Sequence, residues 1–475
     1  MNMNKKKTLL TIIFLVMLIQ LNHASAQFGY QAIKLKPGPH FFIDNYLIAD
    51  QYMLSRTVNV PDKLPEPVIT GGKDGDENFQ PYMSVLKDPD TGRFRIWYNT
   101  AEWKSQSHIG YMESEDGIHW IRPHRVLKDP HEIKFGVTVL DRGKNWKEED
   151  QRYVLAFWHS GGMMIAGSRN GLEWKMITDD VVWKHNHDIN SLHWDPIRKQ
   201  YLAIGSVRME HERWAGEGTH RIPHMSVSKD LLHWEEKWPI IMAKIGAPIE
   251  KGETQFYAMS GVITRGDLLI GLVKVLRDDL NATPGKTAKE MGDMDRKAAG
   301  IGYTVLAWSR DGRTWQRDHE PFLPNDPYPD RWDHAHVWGD EQIIVGDETF
   351  IYYAGYKRGH KVARFDERQI GLFRMPRDRY VAREADINKG TLITKPLLLE
   401  GSALTVNAYV VEEMRVRLLD RDGNPLTGFG WIDIKGDAID HPLKWKQDLN
   451  MLKGKPVRLE FQLRDAQLFG FDLHK

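Results

Sequence analysis

Short apolar runs separated by turn residues recur along most of this chain. Each run holds four to six residues rich in Val, Ile, Leu and aromatic side chains, and most follow a turn signal such as Asp88–Gly92 or Arg265–Asp267. Runs of this length and composition, bounded by Gly, Pro and Asp, predict β-strands. Helix signals are nearly absent, and the best helical candidate covers residues 288–297. The clearest strands are Phe94–Tyr98, Tyr153–Trp158, Tyr201–Ile204, Leu268–Val273 and Phe350–Tyr353.

A seven-residue motif recurs close to these strands. Its form is Ser-x-Asp/Asn-Gly-x-x-Trp, with Leu231 in place of Gly in the third copy. Asp or Asn followed by Gly tolerates positive φ, so we expect a tight turn between two strands, with the Trp returning to the apolar side. Successive Trp residues are 54, 60 and 81 positions apart, which suits four-stranded propeller blades with insertions. The copies end at Trp120, Trp174, Trp234 and Trp315, and a degenerate fifth copy covers residues 370–380.

These patterns predict an all-β fold, in which a five-bladed β-propeller over residues 65–390 is followed by a small C-terminal β-sandwich. The sandwich, over residues 396–475, is indicated by four further alternating runs. Residues 27–64 include the apolar run Phe41–Ile48 and are expected to pack on the propeller.

Composition excludes several classes of function. Lys+Arg and Asp+Glu both total 65, and this zero net charge argues against a nucleic-acid binder, which shows a basic excess. The chain contains no Cys, so disulfides, zinc thiolates, iron–sulfur clusters and Cys nucleophiles are excluded. The 17 Trp, 16 Tyr and 17 Phe residues suffice for a large core.

The first 26 residues have the features of a signal peptide. Lys5–Lys7 form a positive region, Thr8–Leu21 is a short apolar run, and Ala24–Ala26 fits a small-x-small cleavage site. We expect cleavage after Ala26 and a secreted or periplasmic location. The apolar run is shorter than a membrane span needs, and no later segment is apolar enough, so no integral membrane segment is expected after cleavage. The sequence leaves the oligomeric state open.

Five blades with Ser-x-Asp-Gly-x-x-Trp turns, followed by a β-sandwich containing Trp445 and Lys455–Phe461, resemble the five-bladed β-propeller glycosidases. That group holds glycoside hydrolase families 32, 43, 68 and 117. The resemblance covers residues 65–475 in architecture and implies an exported hydrolase that cleaves glycosidic bonds in a polysaccharide or oligosaccharide. The chain lacks the Trp-Met-Asn-Asp-Pro-Asn and Glu-Cys motifs of family 32, so neither invertase activity nor its substrate is carried over.

Catalytic candidates are the carboxylates at the start of each unit, because the innermost strands of a propeller converge on a central funnel. Asp188 lies just before a predicted inner strand, flanked by His185 and His187, while Glu253 opens the fourth unit and Asp333 the fifth. Glycoside hydrolysis needs a protonated acid with a raised pKa and a second carboxylate that stays ionised. We assign Glu253 as the acid and Asp188 or Asp333 as the base, against the plainer reading of each as a surface or turn carboxylate.

Substrate-binding candidates lie in the same segments. Asn190 shares a strand face with Asp188, and Gln255 and Tyr257 share one with Glu253, because side chains alternate along a strand. The binding candidates are Asp76, Gln80, Tyr82, Asn190, Gln255, Tyr257, Trp332, His334 and His336, with Asp44 and Asp76 as reserve carboxylates and Glu341 near the rim.

The fifth unit presents a choice of face. His334 and His336 alternate with Asp333 and Ala335, so only one of the two sets can point inward along a regular strand. Residues at the first turn of a strand often depart from strict alternation, so both Asp333 and His336 are kept as candidates.

No cofactor and no metal site are predicted, while a structural Ca²⁺ ion in the funnel is left open. The expected binding partner is a carbohydrate. A non-catalytic carbohydrate-binding propeller is one alternative, marked by funnel aromatics and amides without a close carboxylate pair. A polysaccharide lyase or a sialidase-like enzyme is another. His and Tyr side chains in the funnel, with the carboxylates far apart, would favour a lyase.

Overall fold

The computed structural model describes residues 30–70, 79–101, 107–124, 126–209, 220–242, 255–294, 296–360, 362–363 and 366–475, with only the backbone of residues 79–81, 101, 255 and 257. Strands dominate these residues and none of them forms an α-helix, so the predicted all-β class is confirmed. The best helical candidate, residues 288–297, forms turns in its described part. Short 3-10 helices cover Glu149–Gln151 and Leu449–Leu452. No described helix has the length and apolar character needed to cross a membrane.

The described residues form 32 strands, which are numbered in chain order. The first are β1 (Ile33–Leu35), β2 (Gly38–Phe41), β3 (Ile48–Tyr52), β4 (Ser55–Val58), β5 (Asp62–Lys63), β6 (Ile69–Thr70), β7 (Phe79–Lys87), β8 (Phe94–Ala101), β9 (Ser107–Ser114), β10 (Trp120–Ile121), β11 (Phe135–Asp141), β12 (Tyr153–His159), β13 (Gly162–Ser168), β14 (Lys175–Met176), β15 (Trp183–Lys184) and β16 (Asn190–Asp195). The others are β17 (Gln200–Met209), β18 (His220–Ser228), β19 (Trp238–Pro239), β20 (Gln255–Arg265), β21 (Leu268–Arg277), β22 (Ile301–Ser309), β23 (Gln316–Arg317), β24 (His336–Val345), β25 (Glu348–Tyr356), β26 (Gln369–Pro376), β27 (Val381–Ala385), β28 (Gly390–Thr394), β29 (Leu397–Leu399), β30 (Ala403–Asp420), β31 (Ile432–Pro442) and β32 (Val457–His474).

Residues 56–382 form one compact unit with two four-stranded sheets, one five-stranded sheet and one nine-stranded sheet, and we divide the last at its single parallel bridge, which gives five antiparallel sheets. Sheet 1 contains β7–β10, sheet 2 contains β11–β15, sheet 3 contains β16–β19, sheet 4 contains β20–β23, and sheet 5 contains β24–β26 with β5 and β6. Sheets 4 and 5 share a single parallel bridge between Gly302 and His336. Because β5 and β6 come from the start of the unit and pair with β26 near its end, hydrogen bonds join the two ends of the unit.

The first strands of the five sheets (β7, β11, β16, β20 and β24, here called the inner strands) contact one another in a cycle. Each contacts the inner strand of the next sheet, and β24 contacts β7. This cyclic order is the one expected of radially arranged propeller blades.

Polar side chains link the inner strands across the gaps between sheets. The inner strands form no ladder with one another, and a buried backbone N–H or C=O without a partner costs about 1–3 kcal/mol. Ser84, Ser191, Ser260 and Asp340, here called the inner girdle, supply the partners. The bonds are Val139 N to Ser84 Oγ (2.9 Å), Met83 N to Asp340 Oδ2 (2.5 Å), Ser191 Oγ to Met259 O (3.0 Å) and Ser260 Oγ to Asp340 Oδ1 (2.8 Å).

The repeated motif forms the same turn in all four copies. In the first copy Gly117 N donates to Ser114 Oγ at 2.9 Å, and the next two backbone N–H groups donate to Asp116 Oδ1 at 2.8 Å each. The same bonds recur in the other copies. The predicted tight turn with positive φ is confirmed, with φ values of +78° at Gly117, +75° at Gly171, +73° at Leu231 and +71° at Gly312.

These turns also clamp neighbouring sheets together. Tyr352 of sheet 5 donates its hydroxyl to Gly117 O at 2.8 Å, and Trp97 of sheet 1 donates its indole N–H to Gly171 O at 2.7 Å. Leu231 packs into an apolar cluster shared by sheets 2 and 3. The motif therefore fixes the contact between successive sheets as well as its own turn.

Gly171→Ala is expected to destabilise the protein more than Gly346→Ala. Both glycines have positive φ, so an alanine at either site carries left-handed strain of about 1–2 kcal/mol. A Cβ at Gly171 would also lie 2.7 Å from Trp97, whereas nothing lies within 4 Å of one at Gly346. We expect the free energy of unfolding in urea to fall by about 2–4 kcal/mol for G171A and about 1 kcal/mol for G346A. Equal losses would contradict the clamp.

Residues 30–55 and 383–475 form the other compact unit. Its long strand β32 pairs antiparallel with β30 over most of its length, and also with β2 and β28. The β30–β32 pairing changes register twice between residues 407 and 413, and such bulges bend a sheet. One bent, hydrogen-bonded sheet therefore surrounds the core of this unit, which includes Phe42, Leu392, Val416 and Phe461.

The N-terminal strands are placed differently from our expectation. We expected residues 27–64 to pack on the propeller and the sandwich to occupy residues 396–475. The structure instead pairs β1, β2 and β3 with β29, β32 and β28, and buries Phe42 in the core of the C-terminal unit. Within the described part of the same segment, only β5 pairs with a strand that lies wholly in the 56–382 unit, β26. A short apolar run identifies a strand but not its hydrogen-bonding partner, so the sequence pattern does not reveal these pairings.

Candidate functional site

Asp188 lies two residues before the inner strand β16 and is partly exposed, whereas its neighbour His187 is buried. The His187 Nδ1 atom lies 2.6 Å from Asp188 Oδ1. Arg221, on β18 of the same sheet, donates its Nε–H to His187 Nε2 at 3.2 Å. Burial would raise the pKa of Asp188, but His187 and the charge of Arg221 outweigh burial and hold that pKa below its ordinary value. Asp188 is therefore ionised at neutral pH.

A buried cluster of aromatic and basic side chains surrounds His336, the first residue of the inner strand β24. The His336 ring stacks on Tyr356 at 4.8 Å and on His360 at 5.6 Å, and the Arg368 guanidinium lies 5.0 Å from the Tyr356 ring centre. Burial, together with nearby arginine charges, lowers the pKa of both His336 and His360 well below the ordinary value. Both imidazoles are therefore neutral at neutral pH. Neither ring nitrogen of His336 has a hydrogen-bond partner among the described residues.

Arg221 connects these two groups. Its charge acts on both Asp188 and His360, and His360 stacks on His336. Asp188 precedes Ser191, the girdle residue of β16, by three positions. His336 precedes Asp340, the girdle residue of β24, by four positions. The two residues therefore lie on the same side of the inner girdle, which we call the mouth.

A cavity among the inner strands lies at the depth of the girdle. Lys274 and Asp340 form a buried ion pair in its wall, and Lys274 Nζ lies 5.4 Å from the ring centre of Tyr82. The Glu341 side chain faces the same cavity, and its pKa is raised to about 8 by burial and then by the negative charge of Asp340. The cavity is lined in part by Tyr82, Asn190, His193, Lys274, Asp340 and Glu341.

Glu341 has the raised pKa of a general acid but lies at the wrong depth to act with Asp188. Asp188 precedes the girdle by three residues, and Glu341 follows the girdle residue Asp340 by one. Asp188 therefore lies on the mouth side of the girdle, whereas Glu341 lies beyond it and faces the cavity. We assign Glu341 to the interior packing and not to the chemistry.

Glu341→Gln is expected to flatten the dependence of stability on pH. The pKa of Glu341 is about 8 in the folded protein and about 4.5 when unfolded, so the folded state binds this proton more tightly. The free energy of unfolding of the wild type should therefore fall as pH rises from about 4.5 to about 8. At pH 8.5, E341Q should be more stable than the wild type by about 2–4 kcal/mol.

Urea unfolding at pH 5, 7 and 8.5 measures this effect. The exposed Glu236, changed to Gln, provides the control, because the loss of a solvated carboxylate should leave the pH dependence unchanged. An E341Q protein whose stability follows the wild-type curve at all three pH values would contradict the raised pKa.

Asp333 lies in a different network. Its Oδ2 atom accepts from Lys63 Nζ at 2.9 Å and from the Tyr353 hydroxyl at 2.8 Å, and the side chain is fully buried. Lys63 also donates to Asp326 at 2.6 Å. These contacts join the segment before β24 to strands β5 and β25. The indole of Trp332 stacks on Tyr353 at 5.5 Å in the same network.

His334 and His336 have different surroundings. His334 binds Asp326 O through Nδ1 at 2.7 Å and Thr283 Oγ1 through Nε2 at 3.1 Å, so both of its ring nitrogens hold loop segments. His336 is the histidine that joins the mouth cluster.

The other predicted residues divide into three groups. Asn190 and Tyr82 line the cavity. Gln80, Gln255 and Tyr257 lie in the inner strands β7 and β20, of which the backbone alone is described there. Glu253 and Asp76 lie outside the described residues. Asp44 accepts from Tyr46 N at 2.9 Å in the C-terminal unit. Within the described ranges, no group of three or more His, Asp or Glu side chains is arranged to hold a metal ion.

Several residues at the mouth carried no clear signal in the sequence. Tyr356, His360 and Arg368 lie at or beyond the end of β25, away from the starts of the units, where catalytic residues were expected. Their position in the sequence could have been a signal. In an antiparallel pair the end of the second strand lies beside the start of the first, so Tyr356, at the end of β25, lies opposite His336, at the start of β24.

The sequence matches no protein-family model and no curated protein. Among solved structures, one titled "Glycoside hydrolase" is 11% identical with a TM-score of 0.44, covering 67% of this chain and 92% of its own. The exo-β-1,3-galactanase from Phanerochaete chrysosporium is 10% identical with a TM-score of 0.42, covering 87% of this chain and 100% of its own. The glycoside hydrolase family 43 arabinoxylan arabinofuranohydrolase from Bacillus subtilis is 10% identical with a TM-score of 0.42, covering 86% and 99%. Every one of these TM-scores is below 0.5, so the similarity assigns no function to this chain.

Proposed function

We propose that this protein is an exported glycoside hydrolase that cleaves a glycosidic bond in a polysaccharide or oligosaccharide. The observation that carries this proposal is Asp188, a carboxylate kept ionised by His187 and Arg221 at the start of an inner strand. Glycoside hydrolysis requires one carboxylate of this kind, which acts on water or on the anomeric carbon. Asp188 takes the role of base in this proposal.

Glu253 supplies the acid in this proposal. It precedes β20 by two positions in the sequence, as Asp188 precedes β16 by two positions. Ser191 of β16 is bonded to Met259 of β20, so these two inner strands are neighbours. A carboxyl group at the same offset from a neighbouring strand supports a pair that flanks one scissile bond. The pair needs one group with a raised pKa and one that stays ionised.

The test is a panel of plant and algal polysaccharides and their oligosaccharides, incubated with the purified mature protein. New reducing ends are measured by chromatography of the labelled products, and ¹H NMR of the first product gives the anomeric configuration. We expect cleavage of at least one glycan, together with loss of cleavage in Asp188→Asn and in Glu253→Gln. Cleavage that persists in both variants would contradict this assignment, and binding without products would favour a carbohydrate-binding propeller.

A polysaccharide lyase acting on a uronic acid is the second candidate, favoured by the cluster of His336, Tyr356 and His360. β-Elimination needs a base that removes the proton next to the uronate carboxyl, and a cation that offsets the carboxylate charge. Neither ring nitrogen of His336 has a hydrogen-bond partner among the described residues, so the neutral imidazole has a free lone pair, and Arg368 supplies a buried cation beside Tyr356.

The products separate the two reactions. A lyase leaves a carbon–carbon double bond that absorbs ultraviolet light and consumes no water, whereas a hydrolase adds oxygen from solvent to the product. Mass spectrometry after reaction in H₂¹⁸O, with an absorbance record of the same sample, distinguishes them. Incorporation of ¹⁸O without ultraviolet absorbance supports hydrolysis, and the reverse result supports elimination.

A further inference from the structure

Arg221, His187 and Asp188 form a row of three contacting side chains at the mouth. Arg221 Nε lies 3.2 Å from His187 Nε2, and His187 Nδ1 lies 2.6 Å from Asp188 Oδ1. The His187 side chain is only 4% exposed, and Asp188 is 24% exposed. The buried imidazole therefore lies between a guanidinium and a carboxylate, both of which are partly exposed.

The chemistry of these contacts fixes the proton on the imidazole. An arginine Nε–H can only donate, so Nε2 of His187 must offer its lone pair to Arg221. A neutral imidazole then carries its single proton on Nδ1, which faces Asp188. An unprotonated Nδ1 at 2.6 Å from a carboxylate oxygen would instead bring two lone pairs into repulsive contact. Because Arg221 donates to Nε2, the nitrogen of His187 that lies beside Asp188 is the protonated one.

We propose that Arg221 is a positioning residue, which holds the ring proton of His187 on Nδ1 and thereby keeps an N–H group, and not a lone pair, beside the Asp188 carboxylate. The tautomer of His187 follows from the contacts alone, whereas its importance for catalysis rests on the proposed function of Asp188. In this arrangement the N–H group and the Arg221 charge keep the carboxylate ionised, with its partly exposed side open to the mouth.

Among the described residues, the charged and titratable groups facing Asp188 come from its own segment and from β18. His185 and His187 lie on that segment and Arg221 lies on β18, with His360 of the neighbouring cluster within the field of Arg221. Burial lowers the pKa of His185 to about 4, so it adds no charge near neutral pH. The row from Arg221 to Asp188 therefore dominates the electrostatics of this carboxylate.

The test compares Arg221→Met, which removes both donor and charge, with Arg221→Gln, which keeps an N–H donor without the charge. Arg208 is directly opposite Arg221 in the β17–β18 ladder and is exposed, so Arg208→Met is the matched control for loss of one positive charge in this sheet. All three variants are made in the full mature protein, labelled with ¹⁵N-histidine. The His187 resonance is assigned by its loss in His187→Asn.

Long-range ¹⁵N–¹H spectra report the tautomer directly. We expect a protonated Nδ1 and an unprotonated Nε2 in the wild type, in R208M and in R221Q. In R221M we expect a mixture of tautomers or a protonated ring at pH 6. A wild-type spectrum with the proton on Nε2, or an R221M spectrum identical to that of the wild type, would overturn the proposal whatever the activity.

The pH dependence of activity provides the second measurement. In R221M the acidic limb of the kcat/KM profile should move to higher pH by about one unit, with KM nearly unchanged, because the carboxylate loses both donor and charge. R221Q should retain part of the wild-type profile, and R208M all of it. A lower rate in R221M with an unmoved acidic limb would show that Arg221 acts only on folding. Absence of glycan cleavage in the wild type would count against the proposed function and leave the spectra as the test of Arg221.

Discussion

Asp188→Asn should lower the rate of glycan cleavage by about 10²–10⁴-fold, the usual contribution of a general base. Asparagine keeps the shape of the side chain but cannot accept a proton from water or attack the anomeric carbon. The neighbouring contacts to His187 remain sterically possible, so we expect nearly wild-type unfolding and a normal KM. The loss should appear in kcat.

Initial rates on the best substrate of the glycan panel, measured over a range of concentrations, separate kcat from KM. Asp179→Asn is the matched control, because Asp179 is an exposed carboxylate on the segment that leads to β15. Its activity should equal that of the wild type. If D188N retained more than about a third of the wild-type kcat while Asp333→Asn abolished it, the base would have to be reassigned to Asp333.

The second large effect concerns stability. Lys274→Met is expected to lower the free energy of unfolding by about 3–5 kcal/mol, because it leaves the buried Asp340 carboxylate without its cation. Lys274 and Asp340 are 1% and 5% exposed. Asp340 also accepts from Ser260 Oγ and Met83 N, so its charge is held at the point where three inner strands meet.

Urea unfolding of two further variants gives this prediction its controls. The double variant Lys274→Met with Asp340→Asn should recover part of the loss, because the unpaired charge is gone while the amide can still accept hydrogen bonds. Lys144→Met breaks an exposed pair with Asp90 and should cost less than about 1 kcal/mol. A cost for K274M no greater than that for K144M would refute the stabilising role of the buried pair.

The strands and the repeated turn were predictable because their signals are local. The motif Ser114–Trp120 contains every group that its turn uses, since a Ser hydroxyl, an Asp carboxylate and a residue with positive φ all lie within a few positions. Leu231 occupies the position at which the other three copies have Gly, yet the same side-chain hydrogen bonds hold it at a φ of +73°. Buried apolar packing of Leu231 accounts for this exception.

The candidate site was only partly predictable. Asp188 and His336 were found because they lie beside the starts of inner strands, where alternation and the flanking histidines gave a signal. Asp333 has the same local signal, but Lys63 and Tyr353 hold it in another network. Those partners come from positions about 270 residues earlier and 20 residues later, and no local pattern specifies such a contact.

By itself, the sequence determined the all-β class, the four matching turns, the absence of cysteine chemistry, and the Asp188 segment as a place for an ionisable group. Those features depend on backbone preference and on composition, which act over a few residues. The tertiary structure decided the partners: which carboxylate contacts a histidine and an arginine, which is buried against a lysine, and which strands the N-terminal segment joins. These outcomes depend on burial and on charges brought together from distant positions, because desolvation and Coulomb interactions act through space and not along the chain.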